Sequence, residues 1–200
     1  ISRMLLEVEM ARLNDEARRG MQSDLAQMDA IIGQFLDYAR PAGSEVQQPV
    51  DLSALVTDVA REAARLPDLQ VFSDITSGIA VNGSAVDLRR VINNLIENAR
   101  RYGKTPDTGR TDIDIRCWRE GDRAMLEVGD HGTGVPDEAL DQLLRPFTRL
   151  DSARSQANGA GLGLAIVERV VQRHGAGLRL SNRPDGGLVA RITFAIAARA

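Results

Sequence analysis

Leu88, Val91, Ile92, Leu95, Ile96 and Ala99 fall on one side of a helical wheel, and Asn94, Glu97, Asn98 and Arg101 fall on the other. The apolar positions keep the 3.6-residue period of an amphipathic helix. The four polar positions stand at i, i+3, i+4 and i+7, so they share one stripe. Ser84 is placed to cap this helix, which the pattern carries to Tyr102. A helix with so clean an apolar face needs an apolar layer to lie on.

The rest of the chain offers that layer in short alternating segments. Residues 69–75 and 79–82 read as strands. Residues 113–117 and 124–128 alternate around Glu120-Gly121-Asp122, a hairpin pattern. A second hairpin, 178–180 and 188–194, turns at Pro184-Asp185-Gly186-Gly187. Two more helices are expected. One opens at Asp51-Leu52-Ser53 with Leu55, Val56, Val59 and Ala63 on one face, and one runs over 162–174. Strands and helices mix without regular βαβ alternation, which predicts an α+β fold, a two-layer α/β sandwich.

The N-terminal part obeys a different rule. Met21, Leu25, Met28, Ile32, Phe35 and Ala39 recur in steps of four and three, the heptad seam of helices lying side by side. Ile1, Leu5 and Val8 give a shorter run of the same kind, with a break at Asn14-Asp15 or at Arg19-Gly20. Pro41 stops the helix near Arg40. These features predict a truncated antiparallel helical hairpin over 1–40. Its seam is satisfied by a second copy, a homodimer through residues 1–40, or by packing on its own domain. Residues 41–48 read as a linker and 49–200 as the main domain.

Composition narrows the classes. A formal net charge of −3 argues against a broad nucleic-acid or anionic-membrane footprint. The one cysteine, Cys117, cannot form an internal disulfide and sits in a strand pattern, which predicts a buried structural thiol. No apolar run approaches the roughly 20 residues of a membrane span, and no signal peptide is visible. The first residue is not Met, and the chain is read as part of something longer.

The polar residues point to chemistry. Carboxamide oxygens such as those of Asn94 and Asn98 are hard ligands suited to Mg²⁺ together with phosphate oxygens, and Arg101 one turn on can meet a phosphate. Asp130 stands where a strand ends, ahead of Gly132 and Gly134, whose small size allows tight backbone turns. A carboxylate there can accept from an exocyclic amine such as that of adenine. Gly159, Gly161 and Gly163 precede the apolar helix pattern of Leu164, Ile166, Val167 and Val170, where backbone N–H groups and the helix dipole favour an anion. The spacing is not that of a dinucleotide fingerprint. Gly103-Lys104-Thr105 imitates the end of a P-loop but lacks its partner glycine, since Asn98 stands there.

The ordered set resembles the catalytic ATP-binding domain of sensor histidine kinases, in the superfamily of Bergerat-type fold shared with gyrase, the chaperone ATPases and MutL. Residues 49–196 carry the likeness. Residues 94–102 look like the N box, Asp130 to Gly134 like the G1 box, Gly159 to Leu164 like the G2 box, and Arg145-Pro146-Phe147 like the F box. The resemblance implies ATP and Mg²⁺ as cofactors. It implies Asn98 as Mg²⁺ ligand, Asn94 in support of metal and phosphates, Arg101 on phosphate, Tyr102 near adenine and Asp130 on the adenine amine. It implies Phe147 as anchor of a mobile lid, Arg149 as a weaker phosphate contact, and Gly132, Gly134, Gly159, Gly161, Leu162, Gly163 and Leu164 as walls of the site. The lid, 149–159, is expected to be mobile without nucleotide.

Residues 1–40 resemble the dimerisation and histidine-phosphotransfer hairpin, and residues 33–40 its end in osmosensor-type kinases. The family's acceptor histidine, in a His-Glu-x-x-x-Pro segment, has no counterpart here; Ile1-Ser2-Arg3 looks like the residues just after it. His131 reads as a surface or pocket-rim residue, and His174 as a structural residue at a helix end, where a histidine favours the dipole. The implied function is transfer of the ATP γ-phosphoryl to an upstream histidine and on to an aspartate of a response-regulator receiver domain. The fragment itself is not expected to autophosphorylate. The implied place is the cytoplasmic portion of a bacterial inner-membrane protein, attached to the membrane only through upstream segments. A superfamily ATPase or serine kinase is disfavoured by the heptad hairpin, and a nucleotide-binding dimerisation scaffold by the intact Asn98, Asp130 and glycines.

Overall fold

Asp51 and Ser84 each stand at the junction of a short strand and a helix, and this pair of junctions sets the frame. In the computed structural model, which describes residues 15–39, 47–106, 108–148 and 161–197, β1 (Gln48–Asp51) pairs antiparallel with β3 (Ala80–Gly83). The Asp51 side chain accepts from Ala54 N and so caps α2 (Leu52–Ala63). The Ser84 side chain accepts from Asp87 N and caps α3 (Ala85–Tyr102). Both caps satisfy donors that a helix start would otherwise leave orphaned.

Five strands form the main sheet: β2 (Leu69–Ile75), β4 (Thr111–Glu120), β5 (Arg123–Asp130), β6 (Gly177–Asn182) and β7 (Leu188–Ala195), in the order β2-β4-β5-β7-β6. β2 runs parallel to β4, and the other pairings are antiparallel. The strand period of two puts Ile113, Ile115 and Cys117 on the face covered by α2, α3 and α4 (Gly163–Arg173), and Asp114, Arg116 and Trp118 on the other. Ile92, Ile113, Ile192 and Phe194 are almost fully buried between the layers. Truncating one such side chain to Ala costs about 2–5 kcal/mol. The α+β, two-layer expectation is met.

Two local expectations change. Arg19-Gly20 is not a break, because α1 (Asp15–Ala39) runs through it; an interior glycine costs about 0.5–1 kcal/mol but leaves the ladder intact. Gln48, assigned to the linker, belongs to β1. That strand was illegible because only Val50 of its four residues is buried, and Pro49 fits a strand with one neighbour. A 3-10 helix, Asp137–Leu144, occupies a stretch to which the sequence assigned no element; its one buried residue, Ala139, leaves no periodic pattern. The first stretch of the hairpin and most of the linker lie outside the described residues.

Candidate nucleotide site

Asp130 is the last residue of β5 and only 5% exposed. Its Oδ1 accepts from Gly132 N at 2.9 Å and from Leu188 N at 3.2 Å. No described donor is bonded to Oδ2. Burial pushes its carboxyl above the usual range, and this outweighs the opposing pull of the two backbone donors and of nearby His131 and Arg183. The group is a fixed acceptor with one oxygen to spare.

That position exists because side chains are missing around it. A Cβ on Gly103, the C-cap of α3, would lie 2.4 Å from Asp130 Cγ, and one on Gly132 would lie 2.8 Å from Gly103 Cα. Gly187, at φ +104, would put a Cβ 2.0 Å from the Asp130 carbonyl oxygen. Gly103 and Gly187 had no assigned part in the sequence reading. In the sequence Gly103 reads only as the end of a false P-loop, and Gly187 only as a turn residue. Both are spatial neighbours of Asp130 from remote parts of the chain.

Asp130 shares a cavity of about 10 Å³ with Leu95, Asn98, Ala99, Val128, Leu164, Leu188 and Ala190. This volume holds roughly one water. Asn98 and Leu164, expected to act with Asp130, therefore meet it. Asn94 donates through Nδ2 to Arg90 O at 2.9 Å, and its Oδ1 lies 3.5 Å from where a Cβ of Gly163 would stand. The start of α4 has neither a side-chain cap on Leu162 nor an acid in its first turn. A helix N-terminus beside a carboxamide oxygen suits an anion and its counter-cation.

Other expected residues are placed less directly. Arg101 donates to Glu97 Oε1 at 2.6 Å, so the stripe is internally paired. Tyr102 is half exposed at the end of α3. Phe147 holds φ +63 and donates its N–H to Gly161 O at 2.9 Å, while its ring is exposed. Gly161 in turn would clash with the Phe147 backbone if it had a Cβ. This close backbone crossing joins the F box to the second glycine cluster. Arg149 and Gly159 lie outside the described residues, as does all of the expected mobile lid. Among the described residues no group of three or more His, Cys, Asp or Glu could hold a metal ion.

The histidines have structural partners. His131 Nε2 lies 3.1 Å from Asp114 Oδ2, which also accepts from Arg183. The Asp114 carboxyl pays a burial penalty, yet the hydrogen bonds from Arg183 and His131 hold it below the usual range. His174 accepts from Ser84 N through Nε2 and faces Val170 O through Nδ1 at 2.8 Å. Through these contacts the ring joins the end of α4 to the start of α3.

The family model for histidine kinase-, DNA gyrase B- and HSP90-like ATPases matches residues 83–198. The chain belongs to this family. The phosphate regulon sensor protein PhoR of Pseudomonas aeruginosa is 34% identical over 186 residues, which cover 90% of this chain and 41% of PhoR. Among solved structures, the mycobacterial sensor histidine kinase MprB superposes with TM-score 0.66 at 27% identity, covering 76% of this chain and all of that one. The histidine kinase domain of the E. coli osmosensor EnvZ gives TM-score 0.56 at 32% identity, covering 79% of this chain and 94% of that one. The chain spans less than half the length of the curated relative PhoR. Within this histidine kinase-like ATPase fold, the carboxylate, carboxamides and helix start described above fall inside the matched residues. No described helix is long and apolar enough to cross a membrane.

Proposed function

We propose that this chain is the ATP-binding catalytic portion of a sensor histidine kinase. The observation that carries the reading is Asp130. Its Oδ1 is held by two backbone amides, no described donor is bonded to its Oδ2, and it lines one cavity with Asn98 and with Leu164 of α4. In this reading Asp130 accepts from the adenine amine, and Leu95, Val128 and Leu188 exclude water from that bond. Asn98 and Asn94 offer carboxamide oxygens to Mg²⁺, which would neutralise phosphate charge. The first-turn amides of α4 and Arg101 hold the phosphates, with Tyr102, Phe147, Arg149 and the glycines 132, 134, 159, 161 and 163 at the rim. The protein's share in phosphoryl transfer is positioning and charge compensation.

The acceptor histidine belongs to an upstream segment of the longer protein, and the next acceptor to a response-regulator receiver domain. The longer protein is membrane-anchored with this portion in the cytoplasm, and residues 1–40 pair with a second copy. Calorimetry with Mg²⁺-ADP tests the core of the reading. Binding should fall at least about tenfold in Asp130→Ala and little in His131→Ala; equal binding by both variants rejects the assignment of Asp130. Asn98→Ala should weaken Mg²⁺-nucleotide far more than metal-free nucleotide, and equal losses would make Asn98 a packing residue.

A further inference from the structure

Asn182 ends β6, on the far side of the turn from Leu188, and was not singled out by its sequence context. Its side chain does the work of a short strand. Oδ1 accepts from Val135 N at 3.0 Å, and Nδ2 donates to Val135 O at 2.7 Å and to Asp137 Oδ1 at 2.7 Å. One carboxamide thus reads both backbone groups of one residue and also holds the first residue of the 3-10 helix.

Gly134 is shaped around this contact. It holds φ +71, and a Cβ there would lie 2.8 Å from Asn182 Oδ1. The second glycine of the Asp130-to-Gly134 segment therefore makes room for Asn182, just as Gly132 makes room for Gly103. The segment pinned in this way begins at Asp130. It continues through the 3-10 helix to Phe147, whose N–H meets Gly161 O. The same turn reaches Asp130 a second time, through Leu188 N on Oδ1. Asn182 and Leu188 face each other across the β6–β7 pair. One rigid hairpin end therefore fixes both the carboxylate and the loop that leaves it.

We propose that Asn182 is a positioning residue for base recognition: it sets the Gly132–Asp137 loop so that Asp130 Oδ2 meets an amino-substituted purine. This rests on the ATP-binding reading above. A side chain acting only on global stability would weaken all nucleotides in proportion. One that aims Asp130 would instead change the choice between a base with an exocyclic amine and one without.

The test compares ATP with inosine triphosphate, which carries an oxo group in place of the amine, by calorimetry on the folded chain with Mg²⁺. The wild type should prefer ATP. Asn182→Ala should lose about fivefold of that preference, with faster hydrogen exchange at the Val135 amide. Asn182→Asp has the same size and keeps the acceptor for Val135 N but loses both donors; it should lose a comparable part and serves if the alanine variant does not fold. Ile92→Val, which loosens the core away from the loop, should leave the ratio unchanged. An unchanged ratio in either folded Asn182 variant overturns the proposal while the ATP reading stands. No ATP preference in the wild type overturns the reading of Asp130 and the proposal with it.

Discussion

Gly187 lies against Asp130 so closely that a Cβ on it would stand 2.0 Å from the Asp130 carbonyl oxygen. This contact joins the β6–β7 turn to the end of β5 with no side chain between them, and Leu188 N, one residue on, reaches the carboxylate itself. Gly187→Ala should therefore cost more than about 2 kcal/mol, from the clash and from the positive φ together. Gly109→Ala is the comparison: φ is +67, but nothing lies within 4 Å of its added Cβ, so only the backbone term of about 1 kcal/mol applies. Urea denaturation giving equal losses for the two would contradict the packing argument.

Asp130 is held for binding at some expense to the fold. Its carboxyl is pushed up by burial, so the native state binds its proton more tightly than the unfolded chain does. The sign follows: its contribution is most favourable below about pH 4, the unfolded value, and declines as pH rises through the raised native value. Asn in its place keeps an oxygen for Gly132 N and Leu188 N and carries no charge to bury. Asp130→Asn should make the nucleotide-free chain at least as stable as wild type at neutral pH, with the difference shrinking towards pH 4. It should also weaken nucleotide by at least about tenfold. A variant that loses stability at neutral pH while keeping nucleotide affinity would reverse this account.

The parts of the fold that were legible in the sequence are those where a period repeats. The faces of α2, α3 and α4, the β4–β5 and β6–β7 hairpins and the Ser84 cap all follow from local spacing. β1 and the 3-10 helix were not legible, since Val50 and Ala139 are single buried residues and one residue makes no period. The site divides in the same way. Asp130, Asn94 and Asn98 stand out because residue type and helix spacing are local. Gly103, Asn182 and Gly187 do not, because their value lies in contacts with Asp130, Gly134 and Val135 that only the folded chain creates. Even the expected Gly132 and Gly134 turn out to face protein atoms, Gly103 and Asn182, at closest range.

Asp114 should carry a pH-dependent share of stability with the opposite sign from Asp130. Arg183 and His131 hold its carboxyl below the usual range despite partial burial. The contribution is present above about pH 4, the unfolded value, and is lost as pH falls through the lower native value. Asp114→Ala should cost about 1–2 kcal/mol at pH 7, after allowance for solvent at this half-buried site. The two denaturation curves should converge near pH 3. A gap as wide at pH 3 as at pH 7 would mean that Asp114 acts by packing alone.

Cys117 should be inert while the chain is folded. It is fully buried on β4, and its thiol is pushed up to about 11, first by burial and second by the charge of Asp51. Thiolate, the reactive form, is then scarce at neutral pH. An aromatic disulfide reagent at pH 8 should label the native chain at least about a hundredfold more slowly than the urea-unfolded chain. Comparable rates would show that the layer between β4 and the helices opens readily.

The seam on α1 divides its residues unequally. Leu25 is 8% exposed, whereas Met21, Met28, Ile32 and Phe35 are 45–51% exposed. α1 touches α4, so part of the seam is satisfied within the chain and the rest faces water. Fully burying a large apolar side chain yields about 1.5–3 kcal/mol, and four half-exposed ones leave an appreciable drive to associate after the entropy of association is subtracted. Sedimentation should therefore reveal a concentration-dependent dimer. Removing residues 1–40, or changing Ile32 and Phe35 to Asp, should leave a monomer, because a charge at either position would be buried without a partner in the dimer. Leu25→Ala tests the other half of the division. It should lower the stability of the monomer, whereas Phe35→Asp should not. A monomer at high concentration in the unaltered chain would mean that the contact of α1 with α4 is the whole use of the seam.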